Sequence, residues 1–505
     1  MLVGMLQNSS YYDPFRRTEI TKNRRNLVFN QMEKNGFISS KEKDSLKNLP
    51  LELNYNPQSH RRGLATYFRS YLRGFMKDWT DNNLKSDGSK YNLYSDGLKI
   101  YTTINSKMQK YAEDSVTEHM KNLKKEFFIQ NDTLSTAPFR DLDEDEEESI
   151  MKRTMRRSER WRKARLSGKS ADEIEEIFNV PTEMSIFSWE GDIDTIMSPI
   201  DSIRYYKHFL QAGMMSMNPK NGHVMAWVGG INYRNFQYDH VMQSKRQIGS
   251  TFKPFLYATA IDQLKLSPCD MLPDAIHCIE PYKYGNPDPW CPTNSSDKYG
   301  GMRTLSNALA NSKNTISAQL IDRVGPRPVA DLARNLGVSS NIPNVPAIAL
   351  GTPDLSVYEM VGAYGAFANK GIYVKPIMVT KIEDRNGKIG FQSTPETKDV
   401  LSEESSYVNL KLLEGVTKFG SGARLRHDIP EDERNYVYKN VVSGYPYKFD
   451  NAIAGKTGTT QNQSDGWFIG MVPNLVTGVW VGGEDRSIHF EEIAFGQGAT
   501  MSLTI

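Results

Sequence analysis

The sequence predicts an α+β fold in which an antiparallel sheet is backed by helices. Three observations predict it: strand-like runs joined by a tight turn, helical segments after them, and a return to strand-like runs. Residues 214–230 form a predicted hairpin, because two apolar runs flank the turn sequence at 219–222. Residues 451–460 and 466–483 predict three more strands, the last two joined at 473–474. This succession is typical of an α+β domain.

Helical segments lie between the two groups of strands, at residues 253–264, 302–325 and 355–371. They are the predicted helices that would back the sheet. Residues 1–50 also read as helical, because their apolar residues recur near helical spacing. Residues 141–165 are a block of acids followed by bases, which favours a solvated helical insertion over a surface that docks on a charged polymer.

Length and composition exclude several classes of protein. The chain has 505 residues, which is enough for two or three domains. Its formal net charge of +2 gives no argument for a nucleic-acid partner. No run of about 18 apolar residues occurs, so no membrane span is predicted.

Three cysteines in a chain of this length exclude a disulfide-dense scaffold. All three fall within one loop-like stretch. In an oxidising compartment Cys278 and Cys291 could pair and leave Cys269 free. Three reduced thiols packed as small hydrophobic side chains are an equally good interpretation.

The first short motif lies at the start of a predicted helix, where Ser250 and Lys253 are three residues apart. Gly249 frees the preceding turn, so Ser250 is predicted in the first turn of the helix. Residues at this spacing share a helix face, and the lysine amine can then reach the serine hydroxyl. Burial or a nearby cation lowers the pKa of a lysine and makes it the base that a serine nucleophile needs. Taken alone, such a pair is also typical of a helix cap followed by a surface lysine.

The second motif is Ser312-Lys313-Asn314, between two apolar helical segments. A turn at this point would direct Ser312 and Asn314 into a cleft. We expect Ser312 to relay a proton between Lys253, the nucleophile and a leaving amine, and Asn314 to bind a substrate amide. The alternative is a polar turn between helices with no catalytic role.

The third motif begins at Lys456 and reads Lys-Thr-Gly-Thr-Thr. Gly458 leaves the strand without a side chain, so that a peptide substrate can approach its backbone. Lys456 would supply a cation for a terminal carboxylate, with the hydroxyls of Thr457 and Thr459 as donors to it. The backbone N–H groups of Ser250 and Thr459 would form an oxyanion hole. The alternative is a loop of turn-prone residues.

In this order and spacing, the three motifs resemble the S-x-x-K, S-x-N and K-T-G set of penicillin-binding proteins and class A β-lactamases. Residues 97–113 are similar to the segment that links the two catalytic domains of class A penicillin-binding proteins. Residues 218–230 and 246–258 are similar to the hairpin and nucleophile helix of their transpeptidase domain. Residues 348–371 and 455–482 are similar to a later helix and to the final strands. The chain thus resembles a bifunctional, class A penicillin-binding protein of the bacterial cell envelope.

This resemblance implies an antiparallel sheet with helices on both faces and a helical subdomain. It also implies three regions: a C-terminal remnant of a lysozyme-like glycosyltransferase domain at 1–50, a linker with a charged helical insertion at 51–200, and the transpeptidase domain at 201–505. Residues 2–39 are similar to the last motif region of that glycosyltransferase domain, and its upstream glutamate motifs are absent. We therefore expect a chain truncated within that domain, without its membrane anchor and without glycan polymerisation.

The resemblance further implies acyl transfer in two steps. Ser250 would attack the D-Ala–D-Ala amide of a stem peptide, release D-alanine and form an acyl-enzyme. An amine of a stem peptide on a neighbouring glycan strand would then take the acyl group, and β-lactams would trap the serine. No metal or organic cofactor is required, and no nucleic acid takes part. The expected location is the periplasmic face of the bacterial inner membrane, where the parent protein would be membrane-anchored within a cell-wall synthesis complex.

Two other classes of function share these motifs. A D,D-carboxypeptidase or a β-lactamase would hydrolyse the acyl-enzyme, and class A β-lactamases need a deacylating glutamate between the second and third motifs. Glu359 lies in that interval, but in a predicted apolar helix, so it is not assigned that role. A non-catalytic β-lactam sensor or an inert scaffold is the other alternative. An attached relay domain would mark a sensor, and intact motifs argue against a scaffold.

Overall fold

The chain divides into two compact units, Met1–Arg62 and Gly63–Ile505. The structure is a computed structural model that describes residues 2–8, 11–15, 17–53 and 62–505. The parts of the predicted remnant and linker that fall elsewhere, such as residues 54–61, lie outside the described residues. The domain boundaries expected from the sequence stay predictions.

The described part of the first unit is helical. Its helices are α1 (Leu2–Met5), α2 (Thr18–Lys34) and α3 (Ser40–Asn48). Ser39 and Glu42 form a reciprocal capping box at the start of α3, which satisfies two backbone N–H groups there. The Arg25 guanidinium donates to the carbonyl oxygens of Lys47 at 3.0 Å and Leu49 at 2.9 Å, and so ties α2 to the end of α3.

The second unit contains the remaining elements. Its helices are α4 (Thr66–Asn82), α5 (Ser106–Asn131), α6 (Glu144–Arg157), α7 (Glu159–Leu166), α8 (Ala171–Asn179), α9 (Pro199–Lys207), α10 (Lys253–Leu264), α11 (Leu305–Ala310), α12 (Asn314–Val324), α13 (Pro326–Asn335), α14 (Val357–Ala368), α15 (Glu403–Lys418), α16 (Tyr436–Asn440), α17 (Ile493–Gly496) and α18 (Gly498–Met501). Its strands are β1 (Lys99–Thr102), β2 (Thr182–Ile186), β3 (Ile193–Met197), β4 (Gln211–Met217), β5 (Val224–Val228), β6 (Arg246–Gln247), β7 (Met271–Pro273), β8 (Met302–Thr304), β9 (Asp354–Leu355), β10 (Ile372–Val374), β11 (Val379–Glu383), β12 (Ile389–Gln392), β13 (Thr397–Asp399), β14 (Ala454–Thr459), β15 (Asp465–Val472) and β16 (Leu475–Gly482).

The main sheet has five strands in the order β14-β15-β16-β4-β5, and every neighbouring pair is antiparallel. The predicted hairpin forms β4 and β5, and the three strands predicted near the C-terminus are β14, β15 and β16. β14 lies at one edge, and no other strand among the described residues pairs with it on that side. A free strand edge leaves backbone N–H and C=O groups available to other segments.

Side chains alternate between the two faces of the sheet, as the pleat of a strand requires. In β16, Val476 and Trp480 enter one buried cluster, whereas Val479 and Val481 enter another. The first cluster includes residues of α10 and α14, and the second includes residues of α5. Helices therefore cover both faces, and the predicted α+β class is confirmed.

The helices on the first face include one that is buried almost throughout. All nine residues from Lys253 to Ile261 of α10 are buried, including the lysine. A helix that is apolar on every side belongs in the centre of a large core. The turn that precedes α10 is therefore joined directly to a buried helix.

Residues between the first strand and the main sheet form the helices α5 to α9 and the hairpin β2–β3. The block of acids and bases forms α6 and α7, which are helical as expected. Asp143 and Glu146 cap α6, while Met151 and Met155 bury one side of it. Within the described parts of the chain, no helix is both long and apolar enough to cross a membrane.

Candidate active site

Ser250 lies in a single 3-10 turn, Gly249–Phe252, directly before α10. The sequence places it in the first turn of the α-helix, but α10 begins only at Lys253. The reason is local: Gly249 has φ of +52°, which an α-helix cannot include, and Pro254 favours a helix start at this position. The Gly249 N–H donates to the carbonyl oxygen of Gly351 at 3.0 Å, which anchors the turn, and Ser250 is half-buried.

Lys253 is fully buried, and its amine is held by the second motif. Nζ donates to the Ser312 carbonyl oxygen at 2.7 Å, to Ser312 Oγ at 3.2 Å and to Asn314 Oδ1 at 2.7 Å. The hydrogen bonds of the described residues do not include the expected one between Lys253 Nζ and the Ser250 hydroxyl. Three acceptors already engage the amine, and catalytic hydrogen bonds commonly tighten only when substrate is bound.

Ser312 joins the first motif to the third. It lies between α11 and α12 in a left-handed backbone conformation, with φ of +56°. Its hydroxyl oxygen accepts from Lys253 Nζ and, at 3.1 Å, from Lys456 Nζ. A hydroxyl that accepts two bonds still has its own proton to donate. The arrangement can therefore pass a proton between the two amines and a third group.

The amines of the two lysines have lower pKa values than lysines at a protein surface. Burial, assisted by the positive charge of Lys456, lowers the pKa of Lys253 well below its usual value. Burial also lowers the pKa of Lys456 to about 7. Two ammonium groups that share one serine hydroxyl would repel each other, so the pair favours one neutral and one charged amine. In its neutral form Lys253 has two N–H groups, so it donates to only two of its three acceptors at a time, and its lone pair can accept a proton.

Lys456 is on the edge strand β14, and its Nζ also donates to the Thr457 carbonyl oxygen at 2.9 Å. The Thr457 side chain is buried, and its hydroxyl lies 2.5 Å from the hydroxyl of Ser421. Ser421 is exposed. Ser421 could not be singled out from the sequence, because Gly-Ser-Gly is typical of any turn and nothing local links it to Thr457.

Thr459 is the last residue of β14, and its backbone lies against the turn that bears Ser250. A Cβ on Gly249 would lie 2.9 Å from the Thr459 carbonyl oxygen and 3.3 Å from its backbone nitrogen. The Thr459 hydroxyl oxygen accepts from the Gly498 N–H at 3.0 Å and keeps its own proton.

Gly458 packs against the turn that bears Ser250. A Cβ at this position would lie 2.7 Å from the Ile248 carbonyl oxygen and 3.0 Å from the Thr251 methyl carbon. The absence of a side chain lets the turn and the strand lie together. Approach of a peptide substrate to the Gly458 backbone stays a prediction.

Asn314 was expected to bind a substrate amide, but both ends of its side chain are engaged within the protein. Oδ1 accepts from Lys253 Nζ, and Nδ2 donates to the Thr293 carbonyl oxygen at 2.8 Å. In this structure its direct contact is with the lysine. Binding of a substrate amide by Asn314 stays a prediction.

Of the two interpretations of the cysteines, the structure has the paired one. Cys278 and Cys291 form a disulfide, and Cys269 is free and exposed. The bond lies in the segment between α10 and α11, which leads into the second motif.

Two family models match the chain. The penicillin-binding protein middle domain matches residues 134–210, and the penicillin binding protein transpeptidase domain matches residues 212–484. Among similar proteins, penicillin-binding protein 1A of Aquifex aeolicus is 27% identical, with 95% of this chain and 61% of that protein covered. Penicillin-binding protein 1A of Neisseria lactamica is 26% identical, with 95% and 60% covered. The chain thus spans about three fifths of the length of these relatives.

Two solved structures share the fold. Penicillin-binding protein 1A from Haemophilus influenzae has a TM-score of 0.62 at 22% identity, covering 95% of this chain and 74% of that one. The penicillin-binding protein PonA1 from Mycobacterium tuberculosis has a TM-score of 0.55 at 20% identity, covering 87% of each chain. The transpeptidase model matches more than half of the sequence, and the three motifs expected of that domain meet in one site. The chain belongs to the class A penicillin-binding proteins.

Proposed function

We propose that the chain is a D,D-transpeptidase that cross-links peptidoglycan stem peptides through an acyl-enzyme on Ser250. The observation that carries the proposal is the pair of buried lysines that share the Ser312 hydroxyl beside the turn that bears Ser250. Such a pair provides a neutral base and a cation within one site. Both are required to activate a serine and to bind an anionic substrate.

Acylation begins when neutral Lys253 takes the proton of the Ser250 hydroxyl. Ser250 Oγ then bonds to the carbonyl carbon of the penultimate D-alanine, and the C–N bond to the terminal D-alanine breaks. The leaving amine receives its proton from Ser312, which is resupplied by Lys253. The N–H groups of Ser250 and Thr459 stabilise the negative charge on the carbonyl oxygen.

The terminal carboxylate of the substrate binds next to the third motif. Lys456 supplies the positive charge, and the hydroxyls of Thr457 and Thr459 have protons to donate. Penicillins and related β-lactams carry a carboxylate and a reactive amide, so they would occupy the same positions and leave a stable ester on Ser250.

Deacylation by an amine from a second stem peptide completes the cross-link. Hydrolysis through Glu359 is disfavoured, because its carboxylate accepts from the backbone and hydroxyl groups of Ser339, Ser340 and Ser356. Burial raises the pKa of Glu359, but these hydrogen bonds outweigh it and lower the pKa to about 2. A carboxylate that accepts this many hydrogen bonds is a weak base, and its role is structural.

The substrate places the reaction outside the cytoplasm, where peptidoglycan is cross-linked. A disulfide between Cys278 and Cys291 suits an oxidising compartment of that kind. The proposed partners are stem peptides that end in D-Ala–D-Ala and, as inhibitors, β-lactams. A membrane anchor in the parent protein and its membership of a cell-wall synthesis complex belong to the same proposal.

The test is a reaction with a donor peptide ending in D-Ala–D-Ala, run with and without an amine acceptor. We expect release of D-alanine and formation of the amide product, both reduced at least about 10³-fold in Ser250→Ala. The melting temperature of the variant should match that of the wild type, since Ser250 is half-buried. Release of D-alanine without any amide product would instead identify a carboxypeptidase, and full activity of the variant would overturn the assignment of the nucleophile.

A further inference from the structure

The segment between α10 and α11 forms a closed loop beside the site. We call residues 274–298 the disulfide loop. Its two ends are joined by the pairing of β7 with β8. Inside it, the Cys278–Cys291 bond and two backbone hydrogen bonds between Ile279 and Trp290, both 3.0 Å, close the chain a second time. These links restrict the positions that the residues after Cys291 can take.

Asn294 follows this closure and is buried, with 3% of its surface exposed. Oδ1 accepts from the Asn314 backbone N–H at 2.9 Å. Nδ2 donates to Asp274 Oδ1 at 2.8 Å and to the Lys298 carbonyl oxygen at 3.1 Å. The amide group is held on both sides, so its orientation is fixed.

Asp274 supports the second motif from the same loop. Oδ1 accepts from the Thr315 hydroxyl at 2.8 Å, in addition to Asn294, and Oδ2 forms an ion pair with Lys313 Nζ at 3.0 Å. Thr315 and Lys313 flank Asn314 in the chain. The disulfide loop thus holds three consecutive residues of the turn through side-chain contacts.

These contacts end at the proposed base. Asn314 Oδ1 accepts from Lys253 Nζ at 2.7 Å, and Asn314 Nδ2 donates to the carbonyl oxygen of Thr293, the neighbour of Asn294. We propose that Asn294 is a positioning residue for acyl transfer. It holds Asn314 in place, and Asn314 in turn holds the buried amine of Lys253 away from water. The proposal rests on the function proposed above.

The alternative is that Asn294 only stabilises the disulfide loop. The two roles differ in what happens to Lys253. If Asn314 loses its support, water reaches the lysine amine, its pKa rises towards the ordinary value, and more of it is protonated at neutral pH. If Asn294 is only structural, fewer molecules are folded, but each folded molecule titrates as before.

The experiment measures the rate of acylation by a fluorescent penicillin between pH 5 and 10. In Asn294→Ala we expect the rate at pH 7 to fall about tenfold. We also expect the acid-side limb of the profile to move up by about one pH unit. The matched control is Asn286→Ala, in the same loop: Asn286 is buried and donates to the carbonyl oxygens of Glu280 and Asp288. Its limb should stay in the wild-type position. A folded Asn294→Ala protein with the wild-type limb would overturn the proposal.

A second variant keeps the test informative if the alanine variant does not fold. Asn294→Ser removes less volume than Asn294→Ala and adds no charge, but its shorter side chain cannot bond both the Asn314 N–H and Asp274. We expect its acid-side limb to move to higher pH, as in Asn294→Ala. A folded Asn294→Ser protein with the wild-type limb would contradict the proposal.

Acylation of the wild-type protein distinguishes a failure of the proposed function from a failure of the role proposed for Asn294. If the wild type is not acylated at all, the proposed function is wrong and the role of Asn294 falls with it. If the wild type is acylated and Asn294→Ala reacts with the same pH profile, only the role of Asn294 is wrong.

Discussion

At the scale of single residues, the proposed chemistry depends on two lysines whose side chains are both completely removed from solvent. Burying an ammonium group is costly unless it is hydrogen-bonded or loses its proton. Ser312 and Asn314 supply hydrogen bonds to Lys253, and Ser312 and the Thr457 carbonyl supply them to Lys456. Burial and the charge of Lys456 lower the pKa of Lys253 and favour its neutral form, which suits the role of base that we propose for it.

The pH profile of acylation should show both lysines. On the acid side the rate falls as Lys253 gains a proton and ceases to be a base. On the alkaline side it falls above about pH 7, where Lys456 loses the proton that binds the carboxylate. Stopped-flow measurement with a fluorescent penicillin gives the two limbs.

Lys456→Ala tests which residue sets each limb. We expect it to lower the rate at least tenfold and to remove the alkaline limb. The acid-side limb should move to higher pH, because the positive charge that helps to lower the pKa of Lys253 is gone. Lys388→Ala, at an exposed position, is the control and should leave the profile unchanged. An unaltered alkaline limb in Lys456→Ala would contradict the assignment.

The motif residues that meet in the candidate site could be found in the sequence, and the residues that support them could not. Ser250, Lys253, Ser312 and Lys456 lie in short motifs whose order and spacing carry a resemblance. Asn294 contacts Asn314 across 20 residues, and Ser421 contacts Thr457 across 36. No periodicity or turn signal links positions so far apart, since such contacts depend on how the helices pack.

At the scale of elements, the hairpins were predictable because strong turn sequences lie between apolar runs, as in β4–β5 and β15–β16. The 3-10 turn that bears Ser250 was not. It depends on a contact between Gly249 and Gly351, which are distant in the chain. The conformation of the disulfide loop could not be predicted either, because Pro, Gly and Asp indicate turns but not which other residues the loop contacts.

Removal of the disulfide should slow acylation, although the bond lies outside the candidate site. Closing a loop of about this size contributes roughly 3 kcal/mol, so Cys278→Ser/Cys291→Ser should free the chain that carries Thr293 and Asn294. We expect acylation at pH 7 to slow about three- to tenfold, because the support of Asn314 is only partly lost. Cys269→Ser should react like the wild type, since this thiol is free and exposed. Equal rates for oxidised and fully reduced wild type would contradict the expectation.

At the scale of the second unit, the three motifs are separated by long stretches of sequence and are brought together by the packing of the sheet and its helices. The third motif is on the edge strand β14, and the first lies at the start of α10, which is buried against one face of the sheet. The second is in the turn between α11 and α12, and α12 packs against α10. The α+β class follows from the order of strand and helix patterns, and the helices on both faces from the resemblance. The charged stretch 141–165 was predicted to be helical, but the packing of α5 to α9 was not, because it depends on contacts between residues distant in the chain.

The central claim is that Ser250 forms the covalent acyl-enzyme, and the mass of the protein after reaction with benzylpenicillin tests it most directly. We predict a gain of one penicilloyl group per chain, which peptide mapping locates on Ser250 and which is absent in Ser250→Ala. An adduct on another residue, or an equal adduct on a folded Ser250→Ala protein, would contradict it.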